Sequence, residues 1–255
     1  MTRHFFVAAA LVWGFATVGA LRPADAQDTY NLKRTFKAGE IDRYKTTMDI
    51  EAASGMKLQI TFTTTEKTEE IKEDGSMVRS ITVETGELSV GGQTMAMPGF
   101  QRATMKATFD KDGKVVKEEG QGGQFRQMLS MTRPMVEAGR PLKIGEEWKT
   151  QLPTNQDGTK KLDVTVTLVA LEPKSDKVPV DSYKVKTVAE GPIETPQGDA
   201  KVRMEAVTLT ARENGKLVRS EGTITGLTLP QFGEAKISFK VETQPEEKKE
   251  TVPSK

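Results

Sequence analysis

Cysteine is absent from this 255-residue chain, and histidine occurs once, at His4. The first absence excludes disulfides, thiolate metal sites, cysteine nucleophiles and lipidation at a cysteine. With histidine confined to the extreme start, Ser-His-Asp and Cys-His catalysis and zinc held by nitrogen or sulfur are excluded as well. Charge of one sign is also lacking. The 37 basic residues stand against 36 acidic ones, so no net field draws nucleic acid or an anionic surface. Aromatics are only 6% of the chain, so aliphatic and methionine side chains must fill most of any core. No phosphate loop is present: Gly120-Gln121-Gly122-Gly123 lacks the Lys-Ser/Thr ending.

The first residues read as an export leader, residues 1–26. Arg3 and His4 precede an apolar run from Phe5 to Leu21, and Ala24-Asp25-Ala26 offers small residues at a cleavage site. The run is shorter than the ~20 apolar residues a spanning helix needs. Cleavage after Ala26 leaves a product with equal numbers of acidic and basic residues, expected to be soluble in the periplasm or secreted by a bacterium. Without cysteine, its core alone must hold it together.

Beyond the leader, apolar residues alternate at period two. Met56, Leu58, Ile60 and Phe62 share a face, as do Met77, Ile81 and Val83, and Ala103, Met105, Ala107 and Phe109. Later runs repeat the pattern: Leu162, Val164, Val166 and Leu168; Tyr183, Val185 and Thr187; Val202, Met204 and Ala206; Ile237, Phe239 and Val241. This predicts antiparallel strands with one face buried and one wet, the threonines and carboxylates lying outward. Asx-Gly pairs at Asp74-Gly75, Asp112-Gly113, Asp157-Gly158 and Asn214-Gly215 supply the hairpin turns. Between Gln124 and Thr132 the spacing turns helical, before Pro134. Residues 245–255, rich in Glu, Lys and Pro, read as a disordered tail.

The chain also resembles itself. Phe36-Lys37-Ala38-Gly39-Glu40 recurs as Leu142-Lys143-Ile144-Gly145-Glu146, with Tyr44-Lys45-Thr46 echoed by Trp148-Lys149-Thr150. Thr108 to Gly120 matches Thr210 to Gly222 at six of thirteen positions. The expected fold is therefore all-β, mainly antiparallel, with one short helix. A duplicated β-unit forms either a curved sheet or half-barrel, or two tandem small β-domains. The units are residues 27–120 and 142–244, joined by a helix-bearing linker, 121–141.

The stretch Pro141-Leu142-Lys143-Ile144-Gly145-Glu146-Glu147-Trp148-Lys149, together with the Gly-Lys hairpins, resembles a family of exported bacterial β-rich proteins of unknown function. Those carry a Pro-Val-Lys-Val-Gly-Asp-x-Trp stretch midway along the chain. In layout alone, the sequence is similar to periplasmic lipoprotein-carrier and lipid-binding folds, a curved sheet over helices. Neither resemblance carries over a functional residue.

Methionine is unevenly placed: nine of the eleven lie between Met48 and Met135. Met48, Met56, Met77 and Met105 fall on apolar strand faces, and Phe125, Met128, Leu129, Met131 and Met135 on or near the helix. Flexible thioethers build adaptable apolar surfaces, so these residues are the candidate lining for an apolar or lipid-like ligand. Met95 and Met97 are a second, soft-ligand candidate for Cu(I). No cofactor or catalytic residue is expected. The functional expectation is an exported, non-catalytic binding protein for an apolar ligand in the envelope. The alternative is a structural or protein-interaction module with a filled core.

Overall fold

The computed structural model describes residues 28–97, 103–111, 115–120, 129, 132–133, 138–154, 159–195, 198–229 and 233–245. The expected leader, the tail from residue 246 and the Asp112-Gly113 and Asp157-Gly158 turns lie outside the described residues.

Alternating sequence gives strands, as predicted. The first half forms β1 (Ile41–Ala52), β2 (Lys57–Ile71), β3 (Met77–Val90), β4 (Gln93–Ala96), β5 (Thr104–Phe109) and β6 (Val115–Gly120). The second forms β7 (Glu147–Pro153), β8 (Lys161–Glu172), β9 (Ser182–Thr195), β10 (Gly198–Ala211), β11 (Leu217–Leu229) and β12 (Gly233–Thr243). All belong to one antiparallel sheet in the order β6-β5-β3-β2-β1-β12-β11-β10-β9-β8-β7, with β4 added beside part of β3. The sheet is open: β6 and β7 are its edges, so it does not close into a barrel. The halves thus share one sheet, with β12 inserted between β1 and β11.

Two meanders of the same strand order lie side by side, and their opening turns match bond for bond. Lys37 N–H donates to Glu40 Oε2 at 3.2 Å, and Lys143 N–H to Glu146 Oε2 at 2.9 Å. Gly39 N–H donates to the Thr68 carbonyl, Gly145 N–H to that of Leu168, both at 2.7 Å. Gly39 and Gly145 have φ of 78° and 82°, a conformation glycine adopts without strain. These bonds make Trp148 the counterpart of Asp42, two residues from the Tyr44 match that the sequence suggests.

The final hairpins match less simply. Val115 pairs with Phe109, whereas Leu217 pairs with Thr210, so the second loop is one residue longer. Met105 therefore corresponds to Ala206, both buried, and the ungapped sequence match is one residue out along the incoming strand. Gly120 and Gly222 do coincide. A Cβ on either would stand 2.4 Å from a neighbouring-strand carbonyl, Thr104 or Glu205.

One face of the sheet carries the core. A row crosses it from Ile60 through Met48, Phe239, Gly222, Ala206, Thr187 and Val166 to Trp148. Two apolar clusters occupy this face, one spanning β1 to β3 and β9 to β12, the other on β7 to β9 with Leu32 and Leu142. Leu162 and Met204 pack against both. The outer face carries cross-strand ion pairs such as Arg43–Glu84 and Arg203–Glu190. Threonine does not keep to that face: Thr46, Thr64, Thr68, Thr208 and Thr210 are buried inside. Their branched side chains suit strands whichever way they point.

Candidate functional site

The inner face is not uniformly apolar. At the end of β1 and β2 nearest the opening turn, Asp42 and Glu66 face each other across the strands, both buried. This corrects the expectation that strand carboxylates lie outward. Both are in phase with inward residues, Asp42 with Tyr44 and Met48, Glu66 with Phe62 and Thr64.

Basic groups converge on the two carboxylates from four parts of the chain. Arg34, from the segment before β1, reaches Asp42 Oδ2 at 3.1 Å and Glu40 Oε1 at 2.9 Å. Lys216, from the β10–β11 turn, pairs with Asp42. Arg79 on β3 reaches Glu66 Oε2 at 2.7 Å. Arg133, from the linker, pairs with the other oxygen of Glu66. Arg133 also donates from Nη2 to Thr64 Oγ1 at 2.8 Å and lies over the Tyr44 ring, 4.6 Å from its centroid. Phe36 is flanked by Arg34 and Arg79 at 4.8 and 4.6 Å.

Burial sets the protonation here. It pushes the Tyr44 hydroxyl up to about 12, reinforced by the Asp42 charge, so Tyr44 is a neutral donor. Burial also raises Asp42, but the hydrogen bond and charge of Lys216 and the charge of Arg34 outweigh it, holding this carboxyl below its ordinary value. Burial pulls Arg133 down to about 10, which still leaves it a cation at neutral pH.

Two neighbouring segments frame this end. The chain before β1 runs past the ends of the second meander: Tyr30 and Leu142 exchange backbone hydrogen bonds at 2.8 and 2.9 Å, and Thr35 N–H donates to the Asn214 carbonyl. Leu32 and Leu142 are buried together there. The linker contributes a helical turn at Leu129 and Thr132, with Arg133 N–H bonded to the Leu129 carbonyl at 3.0 Å. Leu129 packs into the first apolar cluster.

The methionine candidates separate. Met48 and Met105 are buried on the inner face, Met48 within the first cluster, while Met56 and Met77 are half-buried. Met56 joins Ile50, Leu58 and Val90 around an open hollow of about 910 Å³ that also takes in Asp49, Lys57 and Lys236. Leu129 reaches the core, but Phe125, Met128, Met131 and Met135 lie outside the described residues. Met95, on β4, is half-exposed, and Met97 follows the strand. Among the described residues no three Asp, Glu, His or Cys side chains group to hold a metal ion, and no helix is long and apolar enough to cross a membrane.

The ionic cluster is what the sequence reading missed. Its signal was charge at inward parity: Asp42, Glu66 and Arg79 each sit in phase with an apolar run. No protein-family model matches the chain, and no curated protein matches its sequence.

Proposed function

We propose that this is an exported, non-catalytic binding protein whose inner sheet face takes an apolar or lipid-like ligand in the bacterial envelope. The observation that carries the reading is the continuity of that face. Leu162 and Met204 bridge the two clusters, and Leu58, Ile60, Ile81 and Leu217 pack against the first while remaining only partly buried. An open sheet leaves such a face reachable between its edges, where a closed barrel would enclose it. The layout similarity to lipid-carrier folds points the same way. The ionic cluster does not suggest catalysis, since each carboxylate is tied to basic partners rather than set against a second acid across a cleft.

Native mass spectrometry of the gently purified chain, with titration of a fluorescent fatty acid, tests the reading. Co-purifying apolar mass and saturable binding are expected; an empty protein that ignores the probe sinks it. A second reading has its own observation: among the described residues β6 and β7 are the edges of the sheet, and Val116 on β6 is exposed. A module recruiting partners by strand addition would use those edges. Proline substitution along β6 would then abolish partner binding and leave fatty-acid binding untouched.

A further inference from the structure

Arg79 and Arg133 share a single carboxylate. Glu66 gives one oxygen to each, and its side chain is 4% exposed against 15% and 19% for the two arginines. Their other direct contacts are neutral, the Phe36 ring, the Tyr44 ring and the Thr64 hydroxyl, while the charges of Asp42 and, for Arg79, Glu40 act on them from further off. The Nε atoms of both are buried without a hydrogen-bond partner. The whole cluster sets Arg34, Arg79, Arg133 and Lys216 against Glu40, Asp42 and Glu66, which leaves one positive charge in excess, and an uncompensated buried charge is costly.

The sheet does not require this arrangement. Matched through their opening turns, the second meander fills the positions of Glu66, Thr68 and Arg79 with Val166, Leu168 and Val185, all fully buried. Charges retained where the same scaffold works with valine and leucine call for another explanation.

The strands also grade from charged to apolar away from the arginines. Along β1 the inner residues run Asp42, Tyr44, Thr46, Met48, Ile50; along β2 they run Glu66, Thr64, Phe62, Ile60, Leu58. The Thr46 hydroxyl, fully buried, has no hydrogen-bond partner. From Tyr44 to Ile50 the strand extends about 20 Å.

Resting on the apolar-ligand reading above, we infer that the ligand is an anionic amphiphile: a carboxylate or phosphate head on a hydrocarbon chain. The head neutralises the excess charge at Arg79 and Arg133, whose planar forks suit either anion. The chain follows the strands away from the arginines towards Ile60 and Leu58, which are only partly buried.

Calorimetric titration of the full chain with a long-chain fatty acid, its methyl ester and inorganic phosphate tests this. The acid is expected to bind at least about tenfold more tightly than the ester, the contribution of a charge-assisted hydrogen bond. Arg79→Gln and Arg133→Gln should each lose most of that ratio, with ester affinity held within about twofold, which also shows that the variant is folded. Phosphate alone should neither bind nor compete. Equal binding of acid and ester by the unaltered chain overturns the inference and leaves the apolar-ligand reading standing. That comparison decides the matter even if a variant fails to fold. Phosphate competing as well as the acid makes this a free-anion site and overturns the amphiphile. If neither acid nor ester binds, the broader reading falls, and this one with it.

Discussion

The two meanders put opposite chemistry on one scaffold. Where the first holds Asp42, Glu66 and Arg79, the second holds Trp148, Val166 and Val185, in the same strand order and behind the same hydrogen-bonded turn. The second meander is closed at this end by ordinary packing: Leu32 and Leu142 are buried against it, and Trp148 meets the loop at Gly139. The first is closed by ion pairs from Arg34, Lys216 and Arg133. Backbone geometry is therefore indifferent to which kind of side chain fills these positions. Packing and charge are two solutions to one burial problem.

The comparison breaks most sharply at Glu66. Glu66→Ala strands Arg79 and Arg133 without their anion and should cost about 3–5 kcal/mol in urea unfolding, whereas Val166→Ala should cost about 2 kcal/mol. Equal losses would mean that the ionic cluster behaves as plain packing.

A smaller difference is expected between the paired glycines. At Gly222 a Cβ would also strike the Phe239 ring at 2.6 Å, in mid-sheet, while Gly120 lies on an edge strand at φ 107°, where a side chain is itself strained. Gly222→Ala should cost about 3 kcal/mol and Gly120→Ala about 2 kcal/mol, by thermal denaturation. The reverse order would contradict the assignment of β6 as an edge.

Converting the first meander to the chemistry of the second should cost still less, despite removing three charged groups. The triple variant Glu66→Val, Arg79→Val, Arg133→Met should unfold within about 1 kcal/mol of the unaltered chain, or above it. A loss as large as that of Glu66→Ala would show that the sheet does need its charges.

The pH dependence should be the mildest effect, and at these buried inner-face positions it should belong to the first meander. Because Tyr44 titrates at about 12 in the folded chain, above the ordinary value of about 10, its share of stability is intact below pH 10. That share fades as pH climbs towards 12, and Tyr44→Phe should remove this alkaline loss. Asp42 has the opposite sign. Its lowered pKa adds stability above about pH 4, lost as acid carries the pH below that value. Asp42→Asn should flatten that limb, and Trp148, having no proton to exchange, gives the second meander no counterpart. An unaltered acid limb in Asp42→Asn would refute the assignment.

Much of this was written at period two. Leu162, Val164, Val166 and Leu168, or Ile237, Phe239 and Val241, face inward as their alternation requires, because a strand turns successive side chains to opposite faces. The likeness of the two opening segments was legible too, as Phe36–Glu40 repeated at Leu142–Glu146; that each forms a turn with its glycine at positive φ came from the structure. The ionic cluster was harder to see. Asp42, Glu66, Arg79 and Arg133 are 24, 13 and 54 residues apart in succession, and nothing local joins them. Only the inward parity of Asp42, Glu66 and Arg79 singled them out, nothing local marked Arg133, and reading carboxylates as outward by habit concealed the rest.

The sequence alone determined strand content, facing and turn chemistry, since each depends on neighbours a few residues apart. Tertiary structure decided that β1 and β11 both pair with β12, merging two units into one open sheet, and that Arg133 meets Glu66. Those outcomes depend on which distant segments lie side by side, and the local pattern of apolar and polar residues is the same for every such arrangement.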